Sequence, residues 1–138
     1  MRFRFLDRVV SSEPEGGIVT EVTYPGSEDY VGAPFHNPGE VPATIILEAM
    51  AASAGRLIEV VSRDRAVGLM IKVEEARFLA HVAGGDCMKV RSELIGMQDK
   101  SGQSVGLART RGWASIGDKA VAEASIVYLC LPGKGFKP

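Results

Sequence analysis

The chain has 138 residues, with 16 Lys and Arg against 17 Asp and Glu, a formal net charge of -1, and 46% apolar residues. That size suits one compact domain, residues 1–138, and the apolar fraction argues against disorder. The near-zero charge argues against a nucleic-acid binder, which needs a clustered basic excess, and no stretch approaches the roughly 20 apolar residues of a membrane span.

In chain order, residues 3–10 are apolar-rich and read as a first strand, and residues 11–17 form a turn cluster. Residues 18–24 are β-branched and partly alternating, as in a half-buried strand. Residues 25–42 carry Pro25, Pro34, Pro38 and Pro42 with three glycines, so regular structure is excluded there. Irregular stretches this long are usually functional or disordered, and the aromatic residues and His36 in this one favour function.

A helix is expected over residues 43–61, with Pro42 in its first turn. The segment has almost no charge and is apolar on nearly every face, which predicts a helix buried on most sides. A lone domain of this length barely covers such a helix, and that points to a dimer. Four strand-like runs follow, over 67–82, 88–97, 104–116 and 120–131, with short turn-forming separators. Short separators predict antiparallel neighbours joined by hairpins. The order of elements is α+β, most simply one curved antiparallel sheet wrapped around one helix. Residues 133–138 are expected to fray as a flexible tail.

Cys87 and Cys130 lie in apolar runs without a ligand or CxxC spacing and are expected to be buried, inert thiols. His36 and His81 are the two imidazoles, so neither a metal nor another cofactor is expected. The basic start Met1-Arg2-Phe3-Arg4-Phe5 lacks the apolar run of an export signal, which makes a cytoplasmic protein the expectation.

Glu48 stands out within the apolar helix. A buried carboxylate is paired, hydrogen-bonded or protonated, so Glu48 is either a structural pair member or a general acid or base. His36 sits in a rigid turn with Phe35, Asn37, Pro38 and Gly39 shortly before the helix. A histidine facing a glutamate across an apolar slot makes a plausible base and acid. His81 is expected at the surface, and Trp113 and Tyr128 are expected in the core.

Residues 38–55, PGEVPATIILEAMAASAG, resemble the 3-hydroxyacyl-[acyl-carrier-protein] dehydratases, whose signature reads roughly GHFPxxPxxPGxLxxEAMAQxxG. Leu6-Asp7-Arg8-Val9 with Glu13-Pro14 is similar to the family's opening DRV…EPG strand. Ala76-Arg77-Phe78 with Gly85-Asp86 is similar to its ARF…PGD hairpin, and Ala122-Glu123-Ala124 to its last-strand AEA. The resemblance covers nearly the whole chain. It implies the hotdog fold, with a long central helix wrapped by the sheet and dimers joined edge to edge around an acyl tunnel. Glu48 then aligns with the family's catalytic acid, and Pro42 with the proline before its helix. Ala43 takes the place of the helix-start glycine and keeps a backbone N–H for the thioester oxygen. Counted back without a gap, the family's catalytic histidine falls on Pro34, with His36 two residues closer to the helix. Gly32 fits the glycine before that histidine if the loop holds one extra residue, Phe35 would line the tunnel entrance, and the family's glutamine is Ala52.

The resemblance implies reversible dehydration of 3-hydroxyacyl thioesters to trans-2-enoyl thioesters, with Glu48 and His36 catalytic and Ala43, Gly32, Phe35 and Pro42 binding substrate. The implied partners are acyl carrier protein or a coenzyme A thioester, and a second copy of the chain, with dimers able to assemble further. Two alternatives use the same fold: an acyl-coenzyme A thioesterase relying on Glu48 alone, and a non-catalytic acyl-binding or dimer-partner protein.

Overall fold

The computed structural model describes residues 5–13, 16–24, 39–98 and 106–133. In order these form β1 (Arg8–Glu13), β2 (Gly17–Thr23), α1 (Ala43–Val61), β3 (Ala66–Phe78), β4 (Cys87–Met97), β5 (Gly106–Ile116) and β6 (Lys119–Pro132). The six strands make one antiparallel sheet in the order β1-β2-β4-β5-β6-β3, with the single helix packed on its inner face. This is the hotdog fold. The expected frayed tail falls mostly on residues 134–138, which lie outside the described residues.

Period-two burial aims one side of β2, β4 and β5 at the helix. In β2 the inward set is Ile18, Thr20 and Val22, and in β4 it is Met88, Val90 and Ser92. The inward set of β5 is small, Ala108, Thr110, Gly112 and Ala114, which lets α1 lie close over the sheet centre. At β3 a Cβ on Gly68 would stand 2.7 Å from Ile58 Cδ1 and 3.1 Å from a Tyr128 ring carbon, so a larger residue there would have to push the Ile58 side chain aside. Buried hydroxyls then fix the rotation of α1. Ser53 accepts hydrogen bonds from Thr20 at 2.9 Å and Ser92 at 3.3 Å, so these buried polar groups are partnered.

Two sequence expectations are corrected by strand pairing. Ser11, Ser12 and Glu13, expected in a turn, continue β1 and pair with Val19, Ile18 and Gly17. β1 is an edge strand exposed throughout, so it needs no apolar alternation and looks like a turn in sequence. The separator 83–86 is not a hairpin either. β3 pairs with β6, and residues 79–86 carry the chain across the end of the sheet to β4. Backbone bonds pin that crossover, among them Leu79 N–H to Val121 O (2.7 Å), Val41 N–H to Val82 O (2.8 Å), Gly84 N–H to Gly39 O (2.7 Å) and Gly85 N–H to Tyr24 O (2.7 Å). The hairpin expectation does hold for β4–β5 and β5–β6. In the latter, Gly117 at φ 57° opens a two-residue turn between Ile116 and Lys119, a conformation glycine adopts freely.

Candidate active site

α1 starts abruptly because Pro42, at φ -59° and ψ 146°, stands outside the helix as its N-cap. Its carbonyl accepts from the N–H groups of Ile45 (3.0 Å) and Ile46 (3.2 Å). No side chain caps this end, and the Ala43 N–H has no partner within the helix. Ala43 and Thr44 are exposed, so the positive end of the helix dipole faces outward.

Ser53 follows Glu48 by five positions, about 140° around the helix axis at 3.6 residues per turn. Holding Ser53 against the sheet therefore turns Glu48 away from it. The expectation that Glu48 is buried within a helix covered on most sides is corrected for the chain alone: Glu48 is exposed, on a stripe where Thr44 and Arg56 are exposed and Ala52, Gly55 and Glu59 are half-buried. Six strands cover the opposite side of α1, where Ile46, Ala49, Met50, Ser53, Leu57 and Ile58 are buried. Sequence hydropathy marked the small residues of the stripe as apolar, but among the described residues no strand covers them, and Ala52 and Gly55 are half-buried.

Beside the stripe runs a groove of about 390 Å³, bounded by Glu48, Ala52 and Gly55 on the helix, Gly68 and Met70 on β3, Tyr128 on β6, and Phe5 and Leu6 just before β1. Tyr128 is buried, as expected, and its hydroxyl donates to the Ala51 carbonyl at 2.7 Å, tying β6 to the helix beneath the groove. Burial, and secondarily the Glu48 charge, raises the Tyr128 pKa above its ordinary value. The phenol thus stays protonated as a hydrogen-bond donor. Its part in the groove was not legible in sequence, where its strand position marked it only as core.

Of the expected site residues, the structure places Pro42 at the N-cap and Ala43 and Glu48 in the first two turns of one helix. His36, Gly32 and Phe35, with Pro34, lie outside the described residues. His81 is exposed, with Nδ1 3.3 Å from Glu40 Oε2. Cys130 is buried, but Cys87 is exposed, because it begins β4 on the outward phase that also carries Lys89 and Arg91. Trp113 is half-buried on the outer face of β5, with the Arg111 guanidinium 5.7 Å from its ring centroid, rather than in the core. Among the described residues no helix is long and apolar enough to cross a membrane.

No protein-family model matches the chain. It is 30% identical over 131 residues to the 3-hydroxyacyl-[acyl-carrier-protein] dehydratase FabZ of Symbiobacterium thermophilum, spanning 91% of this chain and 85% of that one. To the FabZ of Protochlamydia amoebophila it is 27% identical over 128 residues, spanning 92% and 79%. Among solved structures it superposes on thioesterase superfamily member 2 of Mus musculus with TM-score 0.68, at 10% identity over 88% of this chain and 80% of that one. A hypothetical thioesterase of Streptococcus pneumoniae, solved with coenzyme A, gives TM-score 0.64 at 9% identity over 93% and 88%. The structural likenesses carry the fold, and the sequence likeness carries the family: this chain belongs to the 3-hydroxyacyl-[acyl-carrier-protein] dehydratases.

Proposed function

We propose that the protein reversibly dehydrates 3-hydroxyacyl thioesters to trans-2-enoyl thioesters, with the acyl group carried by acyl carrier protein or coenzyme A. The observation that supports this most is the position of Glu48, projecting beside an elongated groove a turn and a half after an uncapped helix N-terminus. The Ala43 N–H polarises the thioester carbonyl, which acidifies the proton on C2. His36 takes that proton, the freed electron pair forms the C2–C3 double bond, and the C3–O bond breaks. Glu48, as the acid, protonates the departing oxygen, which leaves as water. Pro42 sets the helix start, and Gly32 and Phe35 border the substrate entrance.

The protein works in the cytoplasm as a homodimer. An edge-to-edge pairing through β3 covers the stripe on α1 that this chain leaves open, and closing the groove excludes water from the reacting atoms. The pairing is supported by the exposed apolar side chains of β3, among them Leu69 and Ile71.

The test is enoyl formation from 3-hydroxyacyl thioesters of several lengths, followed by absorbance, with thiol release measured in the same samples. The wild type is expected to form enoyl product without free thiol. Glu48→Gln should lower the rate by about 10²–10⁴-fold while keeping the fold, and His36→Ala should do likewise. Thiol release lost in Glu48→Ala but kept in His36→Ala would instead mark a thioesterase. No turnover of any thioester would leave an acyl-binding protein.

A further inference from the structure

Besides Glu48, the charged side chains lining the groove are Arg56 and Glu59. They form an ion pair, Arg56 Nη1 to Glu59 Oε2 at 2.6 Å, one turn apart on the open stripe of α1. Both residues also line a second cavity of about 330 Å³ with Asp64, Ala66 and Val67, at the C-terminal end of the helix. The pair is therefore the wall shared by two cavities that follow one another along the helix. In front of it the groove is open: where a Cβ on Gly55 would stand, no atom lies within 4 Å apart from its chain neighbours and the adjacent helix backbone.

We propose that the Arg56–Glu59 pair closes the far end of the Glu48 groove and restricts the protein to short acyl chains. This rests on the reading of the groove as an acyl-thioester site. Eight residues separate Glu48 from Arg56, about 12 Å of helix at 1.5 Å per residue. Glu48 and Arg56 lean the same way along the helix, so that spacing is kept between their side chains, and a terminal methyl stops about 4 Å short of the pair at van der Waals contact. Roughly 8 Å remains, and at about 1.3 Å of advance per bond an extended chain fits about five to six carbons beyond C3, or about eight to nine in all. A longer methyl-ended tail meets two charges and strips water from them, and an alkyl group returns no hydrogen bond.

The test is binding of thioether analogues with four to twelve acyl carbons, carried on coenzyme A and on acyl carrier protein, followed by calorimetry. Each methylene entering an apolar slot tightens binding about fourfold. Wild-type affinity should climb up to about eight to nine carbons and then level or fall. In Arg56→Ala with Glu59→Ala the wall is gone, and the climb should continue to twelve carbons, ending at least tenfold tighter than wild type at that length. Four- and six-carbon analogues should bind both proteins within about twofold. Exchanging the two residues, Arg56→Glu with Glu59→Arg, keeps a pair and should keep the wild-type cut-off. A wild-type climb unbroken to twelve carbons, or a cut-off unmoved in the double alanine variant, would overturn the proposal. Length-limited binding without turnover would count against the dehydratase reading and leave this one standing. Binding of no analogue at all would sink both.

Discussion

Tyr128 does two jobs from one position: its ring floors the groove, and its hydroxyl holds the Ala51 carbonyl of α1 at 2.7 Å. Its pKa is raised by burial and then by the Glu48 charge, and that of Cys130, two residues on, is raised by burial. A group with a raised folded pKa keeps its proton after the unfolded chain has released it. Its contribution to stability is therefore complete below the ordinary values of 9.0 and 10.0 and is lost as pH rises beyond them. Chemical denaturation midpoints should accordingly hold steady from neutrality to about pH 8.5 and fall above it. Tyr128→Phe should cost about 1 kcal/mol at pH 7 through the lost hydrogen bond and make the fall above pH 10 shallower. An unchanged fall would remove the phenol as its source. Single-residue reading of the sequence singled out Glu48 because a carboxylate is unusual in an apolar helix, and it failed where phase decided. Cys87 has apolar neighbours, yet Lys89, Arg91 and Glu93 share its outward phase, and that alternation was there to be read.

α1 ends in a conformation its residues do not favour. After Ser62, Arg63 and Asp64 adopt φ 54° and 62°, where non-glycine side chains are strained. The turn is held by Asp64 N–H to Glu59 O at 2.8 Å and by the Ser62 hydroxyl, which accepts from the Ala66 N–H at 3.0 Å. Both side chains are exposed, so removing one loses no packing. Arg63→Gly is expected to raise stability by about 0.5–1 kcal/mol, read as a higher denaturant midpoint with an unchanged slope. A lower midpoint would mean that the arginine makes a compensating contact. Some boundaries were legible, because period and punctuation are local: the helix over 43–61 matches Ala43–Val61, and the last strand is off by one residue at each end. The strand expected over 67–82 ends instead at Phe78, since its apolar run continues into the crossover, and the first strand, expected over 3–10, runs Arg8–Glu13. Strand order was not legible. Short turns imply neighbours, but β3 binds β6, and the signal for that lies in pairing partners some fifty residues apart.

At the scale of the molecule, the sheet has two unequal edges. β1 is short, with Ser11, Ser12 and Glu13 along it, and such an edge discourages pairing. β3 runs 13 residues, and Leu69 and Ile71 on it are 53% and 51% exposed. A long apolar edge beside an open groove is a liability in a monomer and an interface in a twofold dimer, where the same strand meets its own copy. The estimate that 138 residues barely cover an apolar helix agrees with this, since the part left uncovered lies on the β3 side. Leu69→Lys with Ile71→Lys sets like charges against one another across the twofold, while the strand's bonds to β6 remain. Sedimentation equilibrium of the wild type should give twice the chain mass of 14.7 kDa, and the double variant should give a single chain mass. If the groove is completed only by a second copy, the variant should also lose acyl-thioester binding in step with its dissociation, at protein concentrations where the wild type retains both. A wild type that sediments as a single chain, or a dissociated variant that binds as tightly as before, would place the whole site within one protomer.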